Sequence, residues 1–214
     1  MSLKIAYFQP TIICIDNVPP VEFSKIYNLA DALHQNENIN DAGDPSISIR
    51  GGHQIQVYPN DKNLDVTWLI KYIETICRGY MEIVSQQSGT TDLSLCDILV
   101  TSIWTIRQFS GDYQEMHTHP AGSLSGNIYI TAPELALNSQ PSDSQILFRL
   151  PYTRDVNRFV MTDTWKYDPT PGTVLVFPSH IPHTVYPWKG NGNRTVMAFD
   201  ARLVPKEETL NGNP

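Results

Sequence analysis

From residue 97 onward the chain breaks into short runs of β-branched and aromatic residues: Ile98 to Phe109, Ser125 to Thr131, Gln145 to Leu150, Arg158 to Val160, Thr173 to Pro178, Thr184 to Trp188 and Thr195 to Leu203. Turn-forming residues separate them. About seven strands at such intervals, with sixteen prolines in 214 residues, predict an antiparallel sandwich or barrel of jelly-roll type and argue against a parallel α/β sheet.

The first half reads differently. Val66, Leu69, Ile70, Ile73, Ile76, Cys77, Tyr80, Met81 and Val84 repeat at three- and four-residue spacing over about five turns, which predicts an amphipathic helix. Asn63 or Asp65 would cap it and Ser88-Gly89 would end it. A second helix is expected over Val21 to His34, with Phe23, Ile26, Leu29 and Leu33 on one side, after a turn at Pro19-Pro20 and a short strand at Lys4 to Phe8. Residues 35 to 62 read as a long polar loop with a strand near Gln54 to Tyr58. Both helices precede the strands in sequence and would pack on one sheet, giving a mainly β chain with flanking helices. With no repeat, charge block or linker to divide it, the chain reads as one domain over residues 1–214. Residues 1–96 would give N-terminal support, 97–203 the β core and 204–214 a C-terminal tail.

Charge narrows the function. Fifteen Lys and Arg against 22 Asp and Glu give a net charge of −7, which suits neither nucleic-acid phosphates nor an anionic membrane surface. No stretch approaches the ~18–20 apolar residues of a membrane span, and no signal peptide is evident. Cys14, Cys77 and Cys96 form no CxxC pair and read as small buried hydrophobes. These features predict a cytoplasmic protein acting on a small molecule or a peptide. A homodimer is compatible with all of them and required by none.

Four of the six histidines fall in two tight groups, His117-Thr118-His119 and Ser179-His180-Ile181-Pro182-His183. At a strand end, residues i and i+2 share a face, so His117 and His119 can present two imidazoles to one ion. His183 follows a turn and an apolar strand, Pro171-Gly172 through Phe177-Pro178, and would supply a third ligand while leaving positions open for catalysis. HxH alone is common by chance; the second group gives it weight. His180 reads as a surface or pocket-wall residue, and His34 and His53 have no evident partner. Arg194 opens the apolar strand Thr195 to Phe199, where its planar fork suits capture of a carboxylate. Thr105, Ser125 and Tyr129 lie on flanking strands and could donate hydroxyl hydrogen bonds to the same ligand. Trp104, Tyr113, Trp165, Tyr186 and Trp188 could line an opening or fill the core. Residues 35 to 62 and the Asn138 to Ser144 insertion are surface loops or lids.

The run Gly111-Asp112-Tyr113-Gln114-Glu115-Met116-His117-Thr118-His119-Pro120, then Leu124-Ser125-Gly126-Asn127-Ile128-Tyr129-Ile130, then Pro171-Gly172 through Ser179, His183 and Arg194, resembles the small, prolyl-hydroxylase-like 2-oxoglutarate- and Fe(II)-dependent oxygenases of bacteria and phages. The resemblance covers roughly residues 97 to 203. It implies a double-stranded β-helix, Fe(II) and 2-oxoglutarate as cofactors, and decarboxylation of 2-oxoglutarate coupled to oxidation of a second substrate. It also implies His117 and His183 as iron ligands and Arg194 as the anchor of the remote carboxylate. His119 stands where most of the superfamily has a carboxylate, so the ligand set would be three neutral imidazoles. Val196 stands where a serine often follows the arginine, which makes Tyr129 the candidate donor.

Two other readings compete. Gly111, His117, His119, Gly172, Pro178 and His183 also fit the spacing of cupin metal dioxygenases and isomerases that need no 2-oxoglutarate. That scheme expects an acidic ligand where Ser123 and Leu124 stand, and gives Arg194 no role. A non-catalytic jelly-roll binding or virion module would make the histidines incidental.

Overall fold

The structure, a computed structural model, describes residues 11–35, 49–59, 64–88, 96–149 and 164–206. The strands expected at Lys4 to Phe8 and Arg158 to Val160, the Asn63 cap and most of the C-terminal tail lie outside these residues. In chain order the elements are β1 (Cys14–Asn17), α1 (Pro20–Gln35), β2 (Ile49–Arg50), β3 (His53–Tyr58), α2 (Thr67–Ser88), β4 (Cys96–Gln108), β5 (Tyr113–His117), β6 (Leu124–Thr131), β7 (Glu134–Leu135), β8 (Ile146–Arg149), β9 (Thr164–Tyr167), β10 (Thr173–Pro178), β11 (His183–Val185), β12 (Gly190–Asn191) and β13 (Arg194–Pro205).

Both helices form where their apolar stripes lie. In α2 the Asp65 carboxylate accepts the Thr67 N–H at 3.1 Å as a cap, and Leu69, Ile73, Cys77 and Tyr80 are buried on one face. Pro20, expected in a turn, is instead the first residue of α1. Proline suits that position because its missing N–H would have no helical partner there.

The strands form a six-stranded sheet, β1-β10-β6-β13-β4-β3, a five-stranded sheet, β2-β5-β11-β8-β9, and a two-stranded sheet, β12-β7, with every pairing antiparallel. Alternation along each strand sorts its side chains. Ile103 of β4, Ile128 and Ile130 of β6, Val174 and Val176 of β10, and Met197 and Phe199 of β13 share a core with the helices. Ile106, Tyr129, Leu175, Phe177 and Val196 point the other way and pack with Ile146, Phe148 and Val185 of the second sheet. The helices therefore cover the outer face of the larger sheet, as expected, and the inter-sheet layer is a separate core. Gly126 allows the closest approach on the helix side: a Cβ there would overlap the Phe199 ring and lie 2.6 Å from the Leu175 carbonyl oxygen.

The run Thr173 to Pro178 is β10 without change, whereas Thr184 to Trp188 shortens to β11, which ends before Pro187, a residue that cannot donate to a ladder. β1, β2, β5, β7, β9 and β12 were not expected. Among the described residues no helix is long and apolar enough to cross a membrane.

Candidate active site

His117 closes β5 and His183 opens β11, and the two are directly paired across that antiparallel ladder. His119 lies two residues beyond β5, held by its backbone N–H donating to the Ser179 carbonyl at 2.9 Å. Ring centroids stand 4.2 Å apart for His117 and His183, 5.1 Å for His117 and His119, and 5.2 Å for His119 and His183. Each ring offers one nitrogen to a cluster whose ligand atoms all lie within 4.8 Å of one another.

The outward nitrogens fix the tautomers. Nδ1 of His117 donates to the Glu115 carbonyl at 2.8 Å, and Nδ1 of His183 donates to the Ile181 carbonyl at 3.0 Å. Nδ1 of His119 lies 2.9 Å from Oδ1 and 3.1 Å from Oδ2 of Asp200. With every Nδ1–H engaged by an acceptor, each Nε2 is the nitrogen turned away from that partner and left to ligate a metal ion. The Gln114 amide approaches Nε2 of His117 at 3.2 Å. Phe148 and Phe177 pack on the His183 ring, and Trp104 stacks on His119 at 5.7 Å. Burial pushes the pKa of His117 down and that of His183 well down, so both stay neutral and available as ligands.

Arg194 opens β13 in the same inter-sheet layer and is 3% exposed. Its NH1 donates to the Ser144 carbonyl at 2.8 Å, its NH2 donates to Oε1 of Gln108, and its guanidinium lies 5.2 Å from the centre of the Trp188 ring. Among the described residues no carboxylate pairs with it. Burial lowers its pKa to about 10, opposed in part by Tyr129 and Asp112. Two buried donors beside it, Nε2 of Gln108 and Nε1 of Trp188, have no partner either. A buried cation flanked by unused donors is costly unless something anionic completes it. The donor set thus fits a carboxylate at Arg194, as the three imidazoles fit a divalent ion.

The three expected hydroxyl donors divide: Thr105 lies away from the site, Ser125 is engaged by another side chain, and Tyr129 lies beside Arg194. Thr105 points to the helix side, because Trp104 and Ile106 on either side of it point inward; its hydroxyl bonds the Val196 carbonyl at 3.0 Å and Nε2 of His34 at 3.1 Å. His34 therefore does have a partner. Ser125 faces inward, but its hydroxyl is committed to Oδ1 of Asp200 at 2.6 Å. Tyr129 is buried near Arg194, its phenol pKa raised by burial. His180 is exposed. Trp188 fills the core beneath Arg194, while Trp104 touches the histidine group. The insertion at Asn138 to Ser144 contributes the carbonyl that holds Arg194. Asp200 was missed; its signal was a lone acid in the apolar strand Thr195 to Leu203.

Residues 102–200 match the model of a family described as "Putative 2OG-Fe(II) oxygenase", a segment that contains the three histidines, Arg194 and Asp200. Solved structures share the fold at low identity. A prolyl-4-hydroxylase from Pseudomonas putida has 16% identity and a TM-score of 0.55 over 90% of this chain and 93% of that one. A Trichoplax adhaerens prolyl hydroxylase in complex with a peptide fragment of the hypoxia inducible factor oxygen degradation domain has 16% identity and a TM-score of 0.59 over 94% and 87%. A viral collagen prolyl hydroxylase from Paramecium bursaria Chlorella virus-1, in complex with 2OG, has 15% identity and a TM-score of 0.51 over 90% and 96%. These neighbours place the jelly roll among double-stranded β-helix folds. No curated protein matches the chain in sequence.

Proposed function

We propose that this chain is a 2OG-Fe(II) oxygenase, and so an oxidoreductase, that binds Fe(II) on His117, His119 and His183 and anchors 2-oxoglutarate on Arg194, a reading supported by the family match over residues 102–200. The observation that carries the reading is the buried Arg194, without a carboxylate partner among the described residues and with the unused donors of Gln108 and Trp188 beside it, in the same layer as three clustered imidazoles. Bound iron supplies the dioxygen chemistry that couples decarboxylation of 2-oxoglutarate to oxidation of a second substrate. The chain's own residues do the rest. The carbonyls of Glu115 and Ile181 hold two rings with Nε2 forward, and Asp200 holds the third. Arg194 offers a planar fork to the remote carboxylate, and Gln108, Trp188 and Tyr129 supply further N–H and O–H donors around it. Phe148, Phe177 and Trp104 wall the histidines with apolar surface that excludes water.

The second substrate is a peptide, an amino acid or a small metabolite. The net charge of −7 argues against a nucleic acid, and the peptide-bound Trichoplax adhaerens neighbour supports the peptide option. Cys14, Cys77 and Cys96 are free thiols, in keeping with a reducing, cytoplasmic compartment.

The test is anaerobic addition of Fe(II) and then 2-oxoglutarate to metal-free protein, watching for the visible charge-transfer band of the chelate. The band, its absence in His183→Ala, and succinate release on admitting air are the expected results. Iron binding without a band would favour a three-histidine cupin instead. Undiminished succinate release by His183→Ala would end the assignment of that ligand.

A further inference from the structure

Asp200 is, among the described residues, the one carboxylate bonded to any of the three histidines; His117 and His183 both lean on neutral backbone carbonyls. Its side chain is 13% exposed, set in β13 between the fully buried Phe199 and Ala201. A register shift in the pairing with β4 falls between Asp200 and Ala201, and such irregularities re-aim side chains locally. Ser125, the cross-strand partner of Asp200 on β6, donates to Oδ1 at 2.6 Å and is itself 1% exposed. A buried carboxylate is expensive unless hydrogen-bonded, and this one is bonded on both sides, to Ser125 and to His119.

We propose that Asp200 is the positioning residue of the metal centre: it holds His119 with Nε2 forward and supplies from behind the ring the negative charge that a three-imidazole ligand set lacks. The inference rests on the three-histidine iron reading above. A carboxylate accepting Nδ1–H makes the opposite nitrogen a stronger donor to the ion, and loss of such a partner typically costs about 10- to 100-fold in metal affinity. The same charge acts oppositely on the cosubstrate. An anion behind His119 lowers the positive field at the ion, so removing it weakens the hold on the metal and strengthens the pull on 2-oxoglutarate. A purely structural role for Asp200 would weaken both together.

The experiment compares wild type, Asp200→Asn, Ser125→Ala and His183→Ala as full-length proteins. Co(II) affinity is read by chelator competition, and 2-oxoglutarate affinity is read on the Co(II)-saturated proteins. Asn keeps one acceptor oxygen, in the place of the Oδ1 that both Ser125 and His119 reach, and removes the charge together with the second acceptor. Asp200→Asn should bind Co(II) about 10-fold more weakly, while 2-oxoglutarate binds at least as tightly as in wild type. Ser125→Ala, which leaves the charge but frees one oxygen, should show a smaller loss of the same kind and carries the test should Asp200→Asn fail to fold. Unchanged Co(II) affinity in the folded variants, or parallel weakening of metal and cosubstrate, would overturn the proposal and leave the three-histidine reading standing. No Co(II) binding by wild type, or His183→Ala binding as tightly as wild type, would overturn both.

Discussion

Replacing Arg194 with Met should separate cosubstrate binding from stability. Burial holds the guanidinium pKa at about 10 against an ordinary 12.5, equivalent to about 3 kcal/mol set against the folded state at neutral pH. The sign follows from linkage: a cation with a lowered folded pKa subtracts stability at pH 7, recovered as pH rises through about 10. Met removes that cost but leaves the Ser144 carbonyl and Oε1 of Gln108 without their donor, at about 1 kcal/mol or more each. The two contributions nearly cancel, so the metal-free variant should unfold in urea within about 1 kcal/mol of wild type. Losing the partner of a buried carboxylate costs about 2–5 kcal/mol, or roughly 30-fold or more in affinity. Melting of Ni(II)-loaded protein reads this directly. At 2-oxoglutarate about 100 times its Kd the wild type should gain about 2.7 kcal/mol, or ~5–10 °C for a chain of this size. Arg194→Met should gain less than about 1 kcal/mol at the same concentration. A variant that loses several kcal/mol when metal-free yet keeps the full shift would refute the reasoning and make Arg194 a packing element.

Three other outcomes test the surrounding structure. His34, whose pKa burial and then Arg107 lower to about 4, is neutral when folded and charged when unfolded at mildly acidic pH. Its contribution is complete above pH 6.5 and lost as pH falls through about 4; allowing for its partial exposure, that loss is about 1–2 kcal/mol. Urea titrations at pH 7 and pH 5 should show the loss, and His34→Gln should flatten it. Gly126→Ala should destabilise by about 1–3 kcal/mol, read as a lower urea midpoint, because its methyl meets the Phe199 ring and the Leu175 carbonyl. Thr105→Val should cost about 1–3 kcal/mol by stripping His34 and the Val196 carbonyl of a partner, while leaving 2-oxoglutarate affinity unchanged in calorimetry.

Legibility in the sequence followed burial. β10 and β13 are continuous apolar runs and could be read almost to the residue, as could α2 from its three- and four-residue spacing. β5 could not: Tyr113-Gln-Glu-Met-His117 is largely exposed and polar, so it carries no apolar run even though it ends in a candidate ligand. The His117, His119 and His183 grouping was visible because residue types and strand-end parity are local information. Asp200 was not, since its meaning comes from a bond to a ring 81 residues away. Thr105 shows the opposite error. The parity that joins His117 to His119 also sends Thr105 away from Trp104 and Ile106, and applying it to that strand would have removed Thr105 from the site.

The pairing of His117 with His183 and the bond from His119 to Asp200 also decide when in folding the site comes into existence. Its contacts join residues 66 and 81 positions apart, and β13 must be in place against β4 before Asp200 can meet His119. No local fragment holds the constellation, and contacts this distant form only after the loop-closure entropy of the whole barrel has been overcome. A metal ion can meet the local pair His117 and His119 in the unfolded chain but the full set of three only in the folded one, so an ion that takes all three should favour the native state by its differential affinity.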